Sequence, residues 1–358
     1  MQSNGRTIKS AFNILALSGG GYKGLYTAKI IAQIEENTGK PFGSHFDLIC
    51  GTSIGGIIAL ALATRKISAE EVVVALKKAG PDIFKPVEEP KYKFAGMKEN
   101  GKSYLDKKIY QNSGFTLKRG VTAAKHNNKA LKEILESLFG DRKIGDLKTR
   151  VLIPTANWTK GGPQFFKTPH NPKLTLDKKH SLVDVAMATS AAPIYLPNYE
   201  FENQIYVDGG IVGNAPGIFG VHEAEHFISE ASDKELHLLC IGALSSKITA
   251  NQSESLDKGL VQWNSRIFDL MMACQEQTAN FMMKQKMGDH YHMIDEPTSA
   301  EQDKVVALDK ANDAATNTLL GLAKITFQKE ISEKPLSDFI KQQAPDLNFN
   351  DQQEKKNV

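Results

Sequence analysis

Cysteines and long apolar runs are scarce in this chain of 358 residues. Its three cysteines, Cys50, Cys240 and Cys274, are an odd number without C-x-x-C spacing, which argues against a disulfide framework and a thiolate metal site. The longest apolar run, residues 57–63, is far shorter than the roughly 18 to 20 residues that span a bilayer. The apolar residues 14–17 run into a glycine turn rather than a signal-peptidase site. We therefore expect a protein of the reducing cytoplasm with no membrane-spanning helix.

Charge is balanced overall but unevenly distributed. Hydrophobic residues make up 41% of the chain and charged residues 24%, with 28 Gly and 14 Pro, which excludes collagen-like, disordered and coiled-coil proteins. The formal net charge is only +3, but residues 91–150 contain 15 Lys and Arg against 6 Asp and Glu and so carry +9. Two interpretations remain open for this basic stretch: a solvated face, or a surface that meets anionic lipid or a nucleotide.

Two strand–turn–helix patterns open the chain. Residues 12–17 are rich in β-forming side chains and end in glycines, and the apolar residues from Leu25 to Ala32 that follow have helical spacing. Residues 46–50 and 57–64 repeat the pattern around a turn of small residues. Two such units in sequence predict an α/β fold with a mainly parallel sheet flanked by helices.

The alternation of strand and helix patterns fades after residue 243, where helical patterns take over. We predict an α/β domain over residues 12–245, a helical appendage or lid over residues 250–345 and a disordered tail over residues 346–358. Six of the nine methionines lie in the appendage, where they suit either core packing or an adaptable acyl-chain groove. Ser68 and Ser181, each followed three positions later by an acidic residue, predict capping boxes at two helix starts.

A G-x-S-x-G motif lies between the second predicted strand and its helix. Ser53 stands between Gly51 and Gly55, the pattern of a nucleophile elbow that holds a serine hydroxyl above the sheet at a helix N-terminus. Glycines flank the serine in such elbows because the tight turn leaves no room for neighbouring Cβ atoms. Small residues in a βα turn also occur for packing reasons, so the motif alone leaves both interpretations open.

The glycine-rich loop of residues 19–24 also follows a strand and opens a helix. As G-x-G-x-x-G it would bind a dinucleotide, but that function needs an acidic residue at the end of the second strand. Asp47 lies at the beginning of that strand instead. Alternatively, consecutive backbone N–H groups of the loop form an oxyanion hole beside Ser53. We favour the oxyanion hole because it uses both loops in one site.

A base for the serine is expected at the same edge of the sheet. Asp208 directly follows a short β-rich segment and precedes Gly209 and Gly210, which predicts a carboxylate on a turn at that edge. Asp-Gly-Gly is also an ordinary tight-turn sequence, so this motif needs the support of the others.

The segment from His222 to His226 matches H-E-x-x-H on a predicted helix. Two imidazoles at i and i+4 would bind zinc, with Glu223 as general base. Serines stand where a longer zinc-peptidase motif requires Gly and His, and residues 245–251 contain no acid to serve as third ligand. We therefore predict a polar helix face without metal. His222, His226 and His237 remain candidates for a third triad member.

Four motifs of this chain resemble those of patatin-like phospholipases and occur in the same order. They span roughly residues 12–230 and lie at residues 19–24, 51–56, 188–193 and 208–210. Four ordered motifs are far more specific than any one of them.

The resemblance implies a lipid acyl hydrolase with a Ser–Asp dyad and no catalytic histidine. Ser53 would be the nucleophile and Asp208 the base, releasing fatty acid from glycerophospholipid through an acyl-serine intermediate that requires no metal or other cofactor. The oxyanion hole would be formed by Gly19, Gly20, Gly21, Lys23 and Gly24. One departure is Gly213 before Asn214, where the family often has two asparagines before proline, and this puts the local turn geometry in doubt.

The chain length and helical C-terminal region also resemble bacterial anti-phage patatin-like effectors of the CapV type, whose lipase activity is switched on by a cyclic dinucleotide. This resemblance implies a cyclic dinucleotide activator, a membrane phospholipid substrate contacted from the inner membrane surface and no DNA or RNA partner, and it is compatible with a homo-oligomer. Two rival functions are a nucleotide-binding module that uses residues 19–24 without hydrolysis, and a zinc peptidase that uses His222 and His226.

Overall fold

The computed structural model describes residues 10–87, 123–244, 256–258, 263 and 266–350. In this part of the chain the strands are β1 (Ala11–Leu17), β2 (Leu48–Gly51), β3 (Arg150–Asn157), β4 (Gly162–Lys167), β5 (Tyr199–Phe201), β6 (Gln204–Val207), β7 (Glu235–Ile241) and β8 (Tyr291–Ile294). The α-helices are α1 (Gly24–Thr38), α2 (Ile54–Ala63), α3 (Ala69–Ile83), α4 (Lys129–Phe139), α5 (Leu182–Thr189), α6 (Gly217–Phe227), α7 (Arg266–Met287), α8 (Ala300–Val305), α9 (Asp313–Glu330) and α10 (Lys334–Lys341). Within these ranges we find no helix that combines the length and the hydropathy of a membrane span.

The strands form one sheet in the order β5-β6-β3-β2-β1-β7-β8, with β4 paired to β3 outside this path. β1 pairs in parallel with β2 and β7, β2 with β3, and β7 with β8. The pairs β3–β4, β3–β6 and β5–β6 are antiparallel. The predicted α/β fold with a mainly parallel sheet is thus confirmed, and the turns that follow β1 and β2 meet at one edge of it.

Helices cover both faces of the sheet. In β1, Phe12, Ile14 and Ala16 pack into one core cluster, while Leu15 and Leu17 pack into the other. Helices α1, α2 and α3 pack into the cluster that contains Leu15 and Leu17. Helix α6 and the end of α7 pack into the cluster on the opposite face, which contains Phe12, Ile14 and Ala16. Because both faces are buried, β1 is almost continuously apolar instead of alternating between apolar and polar residues.

The region after residue 250 is helical as predicted, with the exception of β8. This strand lengthens the sheet beyond β7, and a strand of four residues is too short for its alternation to be recognised. Helix α9 packs against α1, where the hydroxyls of Tyr26 and Thr326 lie 3.0 Å apart. The C-terminal region is therefore attached to the sheet and to α1, and the domain boundary between residues 245 and 250 stays a prediction.

Part of the predicted disordered tail is packed against the core. Phe349 is 2% exposed, and the Arg65 guanidinium forms an ion pair with Asp346. The expectation of disorder from residue 346 is wrong for residues 346–350. Phe349 packs against core residues that are distant in sequence, and the tail sequence alone gives no sign of these contacts. Residues 351–358, like residues 91–122 of the basic stretch, lie outside the described residues.

One of the two predicted capping boxes forms in full. The Ser68 hydroxyl accepts the Glu71 N–H at 3.3 Å, and the Glu71 carboxylate accepts the Ser68 N–H at 2.7 Å. Ser181 caps α5 with its side chain, but Asp184 accepts a hydrogen bond from the Tyr199 hydroxyl at 2.6 Å instead of reaching back. The capping box is incomplete because the Asp184 carboxylate binds Tyr199, which is distant in sequence, instead of the backbone at the start of α5.

Candidate active site

Ser53 lies on the turn between β2 and α2, where the sequence predicts a nucleophile elbow. Its backbone has φ 55° and ψ −125°, a conformation that costs a non-glycine residue about 1 to 3 kcal/mol. A Cβ on Gly51 would lie 2.2 Å from the Gly55 carbonyl oxygen, and one on Gly55 would lie 2.3 Å from the Leu17 carbonyl oxygen. Both flanking positions therefore require glycine, for the reason that the motif suggests.

Thr189 holds the strained serine in place. Its hydroxyl oxygen accepts the backbone N–H of Ser53 at 3.1 Å and donates to the Pro154 carbonyl at 2.7 Å. Sequence reasoning missed this role, although Thr189 belongs to the third family motif, residues 188–193. Its position at the end of α5 depends on how that helix packs, which the motif alone does not indicate.

Asp208 reaches the same site from the turn after β6. The residue is 2% exposed, and its Oδ1 accepts the Gly210 N–H at 2.7 Å. A Cβ on Gly210 would lie 2.1 Å from the Met272 methyl carbon, and one on Gly209 would lie 2.2 Å from the Pro154 carbonyl oxygen. Within the described ranges, Oδ2 of Asp208 has no hydrogen-bond partner. The two glycines thus allow the Asp208 carboxylate to lie in a crowded turn, where its Oδ2 accepts no hydrogen bond from the described residues.

Burial sets the basicity of this carboxylate. It raises the pKa of Asp208 from 3.8 to about 6, against the opposing effects of the Gly210 N–H and the Ser53 hydroxyl. Ser53 and Asp208 line one pocket. A carboxylate with this pKa is ionised at neutral pH and more basic than an ordinary aspartate, which suits a general base.

Two N–H groups of the glycine-rich loop are free to bind an oxyanion. The other N–H groups of the loop donate to backbone carbonyls. The Gly19 N–H donates to the Asn214 carbonyl at 3.2 Å, that of Tyr22 to Leu308 at 2.8 Å, that of Lys23 to Gly20 at 3.2 Å, and that of Gly24 to both Gly21 and Tyr22. Among the residues with described positions, the N–H groups of Gly20 and Gly21 have no such partner, and both residues line the Ser53 pocket. The Lys23 ammonium donates to the Leu244 carbonyl at 2.8 Å. Of the five predicted residues, Gly20 and Gly21 are thus the two whose N–H groups have no backbone partner in the described chain.

The turn at Gly213 and Asn214, where the chain departs from the family pattern, joins the two loops. The Gly213 carbonyl accepts the Thr52 hydroxyl at 2.8 Å, next to the nucleophile. The Asn214 carbonyl accepts the Gly19 N–H at 3.2 Å. Although its sequence differs from the family pattern, this turn thus connects the serine elbow to the glycine-rich loop.

The pocket around Ser53 is a narrow apolar slot of about 50 Å³. Its floor comes from α2, α3 and α4, and its outer wall comes from Phe268, Met272 and Leu308. Pockets that hold small molecules are typically about 300 to 1,000 Å³. The slot is therefore too small for an acyl chain unless the wall moves. Met272 and Leu308 lie more than 200 residues from Ser53, and no motif in the sequence indicates their place at the site.

A larger polar chamber of about 370 Å³ adjoins the slot. Slot and chamber share four lining residues: Gly20, Tyr195, Met272 and Leu308. The charged residues of the chamber lining are three acids, Asp269, Glu276 and Asp303, and one base, Lys23. The Glu276 carboxylate accepts the Asn214 amide at 3.0 Å and the Ser18 hydroxyl at 3.2 Å. Burial raises the pKa of Glu276. This acidic lining disfavours phosphate groups and so disfavours the interpretation of residues 19–24 as a dinucleotide site.

The H-E-x-x-H segment lies on α6, where its glutamate is occupied. Glu223 is 2% exposed and pairs with the Lys167 ammonium and with Nε2 of His170, the latter at 3.0 Å. These partners hold the pKa of Glu223 below its usual value in spite of burial. A glutamate held in this way is not available as a general base between His222 and His226.

Histidines are absent from the Ser53 slot as far as the chain is described. The rings of His222 and His226 contact each other on α6 at a tilt of 57°, with centroids 4.5 Å apart, and His237 lies near the beginning of β7. A serine on a strained strand-to-helix turn and a buried carboxylate thus line one pocket, an arrangement that can support nucleophilic catalysis.

Comparisons with known proteins identify the family. The sequence model of the patatin-like phospholipase family matches residues 15–217. A protein of Pseudomonas aeruginosa named cGAMP-activated phospholipase is 40% identical over 93% of both chains, and one of Vibrio cholerae with the same name is 32% identical over 93% of this chain and 96% of its own. Among solved structures, VipD of Legionella pneumophila covers 90% of this chain and 72% of its own at 14% identity and a TM-score of 0.35. This chain belongs to the patatin-like phospholipase family.

Proposed function

We propose that this protein hydrolyses acyl-ester bonds of glycerophospholipids, with Ser53 as nucleophile and Asp208 as base. The observation that carries the proposal is the pairing of a strained serine with a buried carboxylate whose Oδ2 has no other partner within the described ranges. Membership of the patatin-like phospholipase family supports it. Strain at Ser53 and burial at Asp208 both cost stability, and such costs concentrate at functional sites.

In the first half of the reaction, Oγ of Ser53 attacks the ester carbonyl carbon while Asp208 takes the hydroxyl proton. The carbonyl oxygen becomes an oxyanion that accepts the N–H groups of Gly20 and Gly21, and each well-placed donor of this kind lowers the barrier by about 3 kcal/mol. Asp208 then gives its proton to the departing alkoxide, which leaves as a lysophospholipid. The acyl group remains on Ser53.

In the second half, Asp208 takes a proton from a water molecule that attacks the acyl-Ser53 carbonyl. The same two N–H groups stabilise the second oxyanion. When it collapses, the bond to Ser53 breaks, the serine oxygen regains its proton from Asp208 and fatty acid is released. No metal or redox cofactor is needed for any of these proton and acyl transfers.

Mass spectrometry after reaction with a fluorophosphonate probe tests this assignment. We expect covalent labelling of Ser53 in the wild-type chain and strongly reduced labelling in Asp208→Asn, because the variant cannot accept the hydroxyl proton. Labelling of another serine, or undiminished labelling of Ser53 in Asp208→Asn, would contradict the dyad. Retained nucleotide in purified protein with no esterase activity would instead favour a binding module.

We further propose that a cyclic dinucleotide switches this activity on, as part of anti-phage defence, and that the substrate is membrane phospholipid reached from the cytoplasmic side. Both relatives from Pseudomonas aeruginosa and Vibrio cholerae are named as cGAMP-activated. The small volume of the slot, about 50 Å³, supports a resting form that needs an activator. A cytosolic phospholipase that was always active would damage the membranes of its own cell. Assembly into homo-oligomers remains compatible with this proposal.

A link between the basic stretch and the slot suggests how the switch operates. Lys125 and His126, at the described end of the basic stretch, contact Oδ2 of Asp309 at 3.7 and 3.6 Å, and Asp309 directly follows Leu308 in the slot wall. A dinucleotide phosphate that draws Lys125 away would release Asp309 and with it the wall. The acidic chamber is a poor phosphate site, so the activator is expected at the basic stretch.

Vesicle hydrolysis measured with and without a cyclic GMP–AMP dinucleotide tests the switch. We expect little release of fatty acid without the nucleotide and a sharp rise with it, and we expect Asp309→Asn to raise the basal rate. Asp313→Asn, which changes an acidic residue in the first turn of α9, is the matched control. Full activity without nucleotide on neutral and anionic vesicles alike would contradict gating, and activity that follows only anionic lipid content would assign the basic stretch to membrane binding. Both outcomes leave the Ser53–Asp208 proposal intact.

A further inference from the structure

Three metal-binding side chains meet at the edge of the sheet opposite to the active site. One oxygen of Glu235 lies 3.6 Å from Nε2 of His237, and the other lies 3.3 Å from Nε2 of His290. One ligand atom from each residue lies within 4.8 Å of those of the other two. All three side chains are partly exposed, by 50%, 25% and 40% respectively, although Nε2 of His237 itself is buried, so an ion would approach from the side of Glu235 and His290.

The topology of the sheet places these donors together. Glu235 and His237 are two positions apart on β7, so their side chains emerge on the same face. Leu238 pairs with Tyr291 in parallel register, which makes His290 the neighbour of His237 across the two strands. The imidazole rings stack with centroids 4.6 Å apart and an interplanar angle of 24°. The cluster is thus built by strand register and not by a flexible surface loop alone.

The separations of the donor atoms fall in the range that metal coordination requires. Ligand atoms held about 2.0 to 2.2 Å from a tetrahedral zinc ion lie about 3.3 to 3.6 Å from each other. Glu235 approaches each imidazole at such a distance, with Oε2 toward His237 and Oε1 toward His290, and a small rotation of the side chains would bring one oxygen and both Nε2 atoms around one ion. A separation of 3.6 Å is too long for a hydrogen bond, and in the described part of the chain Nε2 of His237 has no hydrogen-bond partner although it is buried.

We propose that Glu235, His237 and His290 bind a divalent transition-metal ion, for which zinc fits best, with water in the fourth position. Two imidazoles and one carboxylate are a ligand set that zinc uses widely. The ion would link His290, just before β8, to β7. Because α7 ends at Met287, shortly before His290, the same link would hold α7, whose residues line the slot, against the sheet. Glu235 is six residues from the end of β7 at the active-site edge, which corresponds to about 20 Å. The metal would therefore act on structure and take no part in the acyl transfer.

Zinc titration of the chelator-stripped full chain by calorimetry tests the site. We expect one equivalent to bind and His290→Ala to weaken binding by at least about 10- to 100-fold, since loss of a ligand costs no less than loss of an outer-shell partner. The double variant His222→Ala/His226→Ala is the matched control because it removes the other histidine pair, and its affinity should equal that of the wild type. A visible absorption band from bound Co²⁺ should appear in the wild type and the control, and disappear in His290→Ala.

Glu235→Gln gives a second test that does not depend on removing an imidazole. It keeps the shape of the side chain but not its charge, and it should also weaken zinc binding and abolish the rise in melting temperature that zinc causes in the wild type. Absence of binding in the wild type, undiminished affinity in His290→Ala and Glu235→Gln, or loss of binding in the His222/His226 control would each overturn the proposal.

Discussion

Replacement of Asp208 by asparagine should make the protein more stable and inactive at the same time. Burial raises the pKa of this carboxyl from 3.8 to about 6, so the folded protein binds the proton more tightly than the unfolded chain does. The stability that this proton supplies is present at low pH and is lost as the pH rises from 3.8 through about 6. Above that range the ionised carboxylate costs about 3 kcal/mol, because each pKa unit corresponds to about 1.4 kcal/mol.

The asparagine side chain would keep an acceptor for the Gly210 N–H, which Oδ1 of Asp208 now accepts at 2.7 Å, and would carry no charge to bury. We therefore expect Asp208→Asn to raise the free energy of unfolding by about 3 kcal/mol at pH 8 but by only about 0.5 kcal/mol at pH 4. Chemical denaturation of both proteins at the two pH values measures this difference. In the wild type, kcat/KM for a soluble ester should rise with pH through about 6 and then level off, because the base must be ionised.

Asp141→Asn, at an exposed position after α4, is the matched control and should change the free energy of unfolding by less than about 0.5 kcal/mol at either pH. The reasoning would be refuted if Asp208→Asn were destabilising at pH 8, if its effect did not depend on pH, or if the variant retained near-wild-type turnover. The last result would also remove Asp208 from the proposed mechanism.

Three further predictions concern the rest of the site. Ser53→Ala should lower ester hydrolysis by about 10⁴-fold or more without loss of the fold, and its combination with the Asp208 variant should cause no further loss, as kinetic assays of the single and double variants would show. Gly21→Val should be as damaging, since φ is +56° there and the new Cβ would lie 2.4 Å from the Leu308 carbonyl oxygen; Gly39→Val, with φ +66° and open space around it, should keep its activity. EDTA should leave ester hydrolysis unchanged, and activity lost on EDTA and restored by zinc would reverse this expectation.

Local sequence determined the parts of this site that depend on near neighbours in the chain. Only glycines permit the close backbone crossings at Gly51 and Gly55, so five residues already indicate a tight turn, and the ordered family motifs then favour a serine elbow over mere packing. The two strand–turn–helix units likewise follow from hydrophobic spacing within about ten residues, and their order implies that the turns after β1 and β2 meet at one sheet edge. The sequence by itself therefore predicts that Ser53 and the glycine-rich loop lie at one edge of the sheet, and both line one pocket.

Tertiary structure alone decided what these local elements contact. Asp208 is 155 positions from Ser53, and its Oδ2 has no other partner in the described chain only because of how β6 and α5 pack beside β3. The choice of Gly20 and Gly21 as the free donors depends on carbonyls of Asn214 and Leu308. Strand register, loop closure and helix packing set such contacts through many weak interactions distant in sequence, and no short motif contains them. The same holds for β8, for buried Phe349 and for the three donors at the far edge of the sheet.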